Sequence, residues 1–251
     1  MADTLYLSLW YPNLRLEGLG DKLVQVLAAF AAHGGEPGVY SATVWPVSWS
    51  ESPVFQQLWG RMAGEPAQGG GSTANSVPGI EPRLAVEEAL ELLHDDYAYE
   101  FQIGWSLWEL EETGEATADP STRPLRSLAQ DDTPKGARGA VQDESARAML
   151  DPRWLRSPRL VRVTGFGPLF EEGAYEQDGH IRIDFGSDTA FLEEDVQLDA
   201  IGARHVEENV RQLVSLTQAV EKESGATARL LWSELGESLA SRLAARLGMR
   251  N

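Results

Sequence analysis

The chain of 251 residues contains no cysteine. That removes disulfide frameworks, thiolate nucleophiles and Cys-ligated zinc in one step. Long apolar runs are missing too: no window approaches the ~18 uninterrupted apolar residues expected of a membrane span. Met1-Ala2-Asp3-Thr4 carries no basic region, and the apolar run after it is short and broken by Pro12, so no signal peptide is read. Cytoplasmic is the expected location. Basic residues are scarce, 21 Lys and Arg against 39 Asp and Glu, for a formal net charge of −18. Nucleic acid and anionic membrane, which need Lys/Arg footprints, are not expected partners. Nucleotide-binding loops are absent as well. Gly18-Leu19-Gly20-Asp21-Lys22 lacks a third glycine and a GK[ST] ending, and reads as a turn with an N-cap. Gly165-Phe166-Gly167-Pro168 reads as a strand ending in a turn. There is no G-x-S-x-G elbow and no H-E-x-x-H. A Ser-His-Asp triad drawn from distant positions stays open, but nothing singles out one serine. No cofactor is expected.

What is present is unevenly spread. Residues 81–112 hold ten acidic residues and one basic, Arg83, while 159–196 hold nine acidic and three basic; the rest is close to neutral. Hydrophobic content of 42% with 24% charged residues is that of a globular protein. Eight Trp outnumber seven Phe and six Tyr.

Periodicity gives the elements. Leu5–Tyr11 alternates and has large residues on both faces, which predicts a central strand. A helix runs from an Asp21 cap to His33, with Leu23, Val26, Leu27 and Phe30 on one stripe. Val39–Val47 is a second strand, with Pro46 pointing to an edge or bulge. Pro53–Trp59 reads as a short helix opened by proline, and Pro82 to about Leu93 as another. Tyr97–Leu110 is the clearest strand: Tyr97, Tyr99, Phe101, Ile103, Trp105 and Leu107 share one face, and Ala98, Glu100, Gln102, Gly104 and Ser106 the other, the antiparallel pattern. Strands at Arg159–Phe166 and Gly179–Gly186 follow, then a helix from Leu198 to Ser224, a short strand at Leu230–Trp232 and a last helix bearing Leu235, Leu239, Leu243 and Leu247. A further short helix is read near Glu144–Leu150. The expected fold is α+β, a mainly antiparallel sheet with helices packed on one face. It is read as a single domain over 1–251 with flexible loops at 63–80 and 113–158, or alternatively as two packed halves, 1–112 and 159–251.

Two constellations could carry chemistry. His94-Asp95-Asp96 sits where a helix ends and the best strand begins; two Asp there oppose the helix dipole, costing a few tenths to about 1 kcal/mol each. The bland alternative is turn chemistry in water. The second runs from Asp178-Gly179-His180 through Asp184: His180, Arg182 and Asp184 alternate onto one strand face, with Ser187-Asp188 beyond, where a base and its partner or a metal site could form; a solvated sheet face is the bland alternative. His33 suits a helix C-terminus and His205 a half-buried helix position. Trp10, Trp45, Trp49, Trp105 and Trp232 read as core residues. Trp108, with Trp59 and Trp154, is the candidate for an exposed aromatic.

The leading functional expectation is a non-catalytic protein-binding module that docks a basic partner, inhibitor- or immunity-like by composition, through Glu100, Trp108, Arg182, Asp184 and Asp188. The alternative is a metal-assisted hydrolase using His94, Asp95, Asp96, His180 and Asp184, which requires the two constellations to converge. A third is a domain of a larger assembly whose 113–158 loop orders on binding.

Overall fold

The computed structural model describes residues 3–61, 76–110, 154–192, 198–234 and 242. Seven strands form one sheet in the order β3-β2-β4-β5-β6-β1-β7. They are β1 Thr4–Trp10, β2 Gly35–Pro46, β3 Phe55–Leu58, β4 Tyr97–Leu110, β5 Trp154–Phe166, β6 Ile181–Ser187 and β7 Ala228–Ser233. The pairs β1–β6, β1–β7, β2–β3, β2–β4 and β5–β6 are antiparallel. The helices are α1 Leu19–Ala32, α2 Pro82–Ala89, the short α3 Ala174–Gln177 and α4 Thr189–Leu192, and α5 Ala200–Ser224. Residues 1–108 and 156–251 group as one compact unit, and 109–155 as another. The expected α+β class, with an antiparallel sheet and helices on one face, is what forms.

Helix α5 shows why. Asp199 caps it, its carboxylate accepting the Ile201 and Gly202 N–H groups at 3.1 and 2.6 Å. Val206, Val210, Leu213, Leu216 and Val220 recur at helical spacing and are all buried. Gly225 ends the helix at φ 71°, a left-handed geometry that glycine adopts without strain. α1 lays Leu23, Val26, Leu27 and Phe30 into the same core. From the sheet, Leu5, Leu7, Leu9, Tyr99, Phe101, Ile103, Trp105, Val163, Ile183 and Phe185 meet them.

Three expectations are corrected. Residues 53–59 do not form a helix: Phe55–Leu58 is an edge strand paired to Ser41–Val44. Phe55 packs on the core, and the Trp59 N–H donates to Tyr40 O at 2.8 Å. Four residues gain more from an available sheet edge than from an isolated helical turn. The strand expected from Arg159 begins at Trp154, inside the expected loop; Pro158, read as a boundary, lies within it. Among the strand tryptophans, Trp105 alone is fully buried, whereas Trp45, Trp49 and Trp232 lie on the opposite face. The short helix near 144–150, most of the 63–80 and 113–158 segments, and all but residue 242 of the last helix lie outside the described residues. No helix among the described residues is long and apolar enough to cross a membrane.

Candidate functional site

The face turned away from α1 and α5 is built by register. Residues directly opposite on paired strands point the same way. Thr43 stands opposite Glu100, and Ser41 opposite Gln102. Arg162 opposes Asp184, and Thr164 opposes Arg182. Tyr6 lies between Asp184 and Trp232, and Ser8 between Arg182 and Leu230. Six strands thus place polar and aromatic side chains in one field.

The charges on it are paired in order. Arg162 Nη2 meets Asp184 Oδ2 at 2.6 Å, and Asp184 Oδ1 accepts the Gly186 N–H at 2.7 Å. Arg182 Nη1 meets Asp178 Oδ2 at 2.7 Å. The Arg182 guanidinium also lies 5.3 Å from the Phe166 ring, 5.5 Å from Tyr6 and 5.9 Å from Trp49, within cation–π range of each. Tyr6 and Trp232 stack at 4.6 Å. The Tyr6 hydroxyl donates to Glu234 at 2.9 Å, and Trp232 Nε1 donates to Ser8 Oγ at 3.0 Å. Partial burial first, then the Glu234 and Asp184 carboxylates, push the Tyr6 phenol up to about 12. Trp45, Trp49, Ala98, Phe166 and Phe170 cluster at one end of this field and support it.

Glu100 differs from the other carboxylates. Burial raises its pKa above the ordinary carboxylate value, against the pull of Arg162. Its carboxylate makes no hydrogen bond or ion pair within 4 Å with any described residue.

Of the expected docking residues, Glu100, Arg182 and Asp184 share this face. Trp108 and Asp188 do not belong to it. The Trp108 ring stacks on His205 of α5 at 4.0 Å. Its backbone N–H donates to Asn209 Oδ1 at 3.0 Å, and its carbonyl accepts Asn209 Nδ2 at 2.8 Å. The alternation that assigned Trp108 to the polar face fails at the strand's end, where the helix clamps the chain. Asp188 is 2% exposed; it accepts the Asp3 N–H at 3.0 Å and pairs with Arg242 at 3.3 Å. An acid so enclosed has no surface to offer a partner.

The catalytic candidates separate into local pairs. His94 Nδ1 contacts the Asp96 carboxylate. The surrounding backbone is a splice: Asp95 O accepts the Leu169 N–H, Asp96 O accepts the Val47 N–H, and the Tyr99 hydroxyl accepts the His94 N–H. His180 accepts the Tyr11 N–H at its Nδ1, 3.0 Å away, and its ring stacks on Tyr175 at 4.2 Å. Burial lowers its pKa, which suits a neutral acceptor. Asp184 faces Arg162, not His180. The two constellations approach only through backbone, by way of Phe166–Leu169. Among the described residues no group of three or more His, Asp or Glu could hold a metal ion.

Sequence reasoning missed Tyr6, Arg162, Trp49 and Trp232 as members of this surface. The alternation of β1 was readable, but which of its two large-residue faces met the helices was not. Compared with known proteins, the chain matches no family model, no curated protein and no solved structure.

Proposed function

We propose that the protein is a non-catalytic binding module whose sheet face turned away from α1 and α5 docks a basic protein partner. The observation that carries this reading is the face itself: four carboxylates, Glu100, Asp178, Asp184 and Glu234, against two guanidinium groups, Arg162 and Arg182, interleaved with Tyr6, Trp49 and Trp232. Aromatic rings and arginine are the side chains that anchor protein interfaces. Surplus negative charge draws a cationic partner and rejects acidic ones, chiefly through the rate of encounter. Strands backed by a close-packed core hold such a surface rigid, which limits the entropy lost on docking. The acidity of segments 81–112 and 159–196 then has a local meaning, since β4, β5 and β6 bring them side by side.

Selection of displayed random dodecapeptides on the immobilised protein tests the reading. The expected result is enrichment in Lys and Arg, with affinity that falls as salt rises and is lost in Tyr6→Ala and in Asp184→Asn. Peptides without basic enrichment, or binding indifferent to both substitutions, would overturn it.

A further inference from the structure

We infer that Glu100 is the anchor of this docking face and takes a cationic side chain, arginine or lysine, from the partner. The inference rests on the docking reading above and names the contact within it. Each other carboxylate of the face has a partner in the chain. Asp184 has Arg162 and the Gly186 N–H, Asp178 has Arg182, and Glu234 has the Tyr6 hydroxyl. Glu100 has no hydrogen bond or ion pair of its own among the described residues; Arg162 and Arg182 act on it only at longer range, while burial strips it of part of its water.

Rearrangement within the chain does not remove this deficit. Arg162 could turn from Asp184 to Glu100, but Asp184 would then lose its guanidinium. Arg182 is fixed by Asp178 and by three aromatic rings. In every arrangement of these two arginines the face is short of cations. A half-buried acid without a partner opposes folding, and proteins keep such local conflicts where function requires them. The position also fits. β4 is the third strand of seven, so Glu100 has strands on both sides, with the Thr43 hydroxyl across the β2 pairing and the Gln102 amide two residues along. Gln102 Oε1 is held by Ser41 Oγ at 3.0 Å, which fixes one wall of the position. The chain's own Arg182 demonstrates the recognition chemistry, a guanidinium held by carboxylate and rings together.

The test uses a nona-arginine peptide, titrated by calorimetry and by amide shifts in uniformly labelled protein. A polycation will be attracted to any chain of this charge, so the comparison is between two variants of equal charge change. Glu100→Gln is expected to weaken binding about tenfold. Glu88→Gln, on the exposed side of α2, is expected to change it less than twofold. Thermal unfolding checks that both variants are folded. Equal losses in the two variants, with amide shifts still centred on β1, β5 and β6, would overturn the assignment of Glu100 and leave the docking face standing. Shifts spread over the whole surface, or centred elsewhere, would overturn the docking reading itself. Shifts centred on Glu100 and its neighbours, abolished in Glu100→Gln alone, support the inference.

Discussion

On one face of the sheet Leu7, Val163, Ile183 and Phe101 meet α1 and α5; one residue along the same strands, Tyr6, Arg162, Asp184 and Glu100 line the other face. The backbone and its hydrogen bonds are shared, so the difference lies in the side chains alone. The first face is held by area removed from water, which is additive and indifferent to pH. The second is held by a few charged and aromatic pairs, each worth about 1 kcal/mol or less when solvent reaches it. Stability is therefore concentrated on the side that α1 and α5 cover.

The largest test of that division is a pair of tryptophans. Trp105→Ala, in the core, is expected to cost about 3–5 kcal/mol in urea unfolding. Trp232→Ala, stacked on Tyr6, should cost less than half as much. Equal losses would break the comparison. Next comes Arg182, whose side chain is 20% exposed. Arg182→Ala should lose about 1–2 kcal/mol, and Arg182→Lys should recover less than half of it, because an ammonium cannot lie flat on the rings.

Smaller effects appear in pH. Burial holds His180 below its ordinary value of 6.5, so the unfolded chain takes up the proton first. The stability linked to neutral His180 is complete above that value and is lost as pH falls through it. Protonation also forfeits the Tyr11 N–H bond. Wild type should lose stability between pH 7 and pH 5 more steeply than His180→Gln, measured by urea midpoints across that range. Glu100 has the opposite sign. Its pKa is raised in the fold, so the folded state favours the neutral acid, and stability is lost as pH rises through the folded value. Glu100→Gln should therefore stabilise the protein at pH 7 by a few tenths to about 1 kcal/mol, with the gain vanishing near pH 4. A loss at pH 7 would mean that Glu100 serves the fold rather than the surface.

Much of this was legible in the residues. The boundaries of β4 and the two faces of its alternation as far as Leu107 read directly, because a long run of period two leaves little choice. The helix expected from Leu198 to Ser224 reads from its apolar stripe and its Gly225 stop, while its Asp199 cap is seen only in the structure. Residues 55–58 did not read correctly, since a short uncharged segment takes its conformation from the neighbouring strand. The polar residues of β6 were legible as a face, and so was Glu100 on β4. Their meeting was not, because strand order joins segments more than seventy residues apart in sequence. Asp188 misled for the same reason: its burial depends on Asp3 and Arg242, at the far ends of the chain.

One consequence of the topology concerns time. β1 lies between β6 and β7, with Leu7 opposite both Ile183 and Leu231. On a ribosome moving at roughly 5–20 residues per second, β1 waits roughly 10–45 s for its second neighbour. Contacts of such long sequence range also slow folding once the chain is free. Until β6 emerges the Leu5–Leu7–Leu9 row is an unpaired, sticky strand, and α1, made soon after it, is the first long element that can shelter it. The order of synthesis thus gives α1 a second task, as guardian of the strand it follows, before the sheet exists.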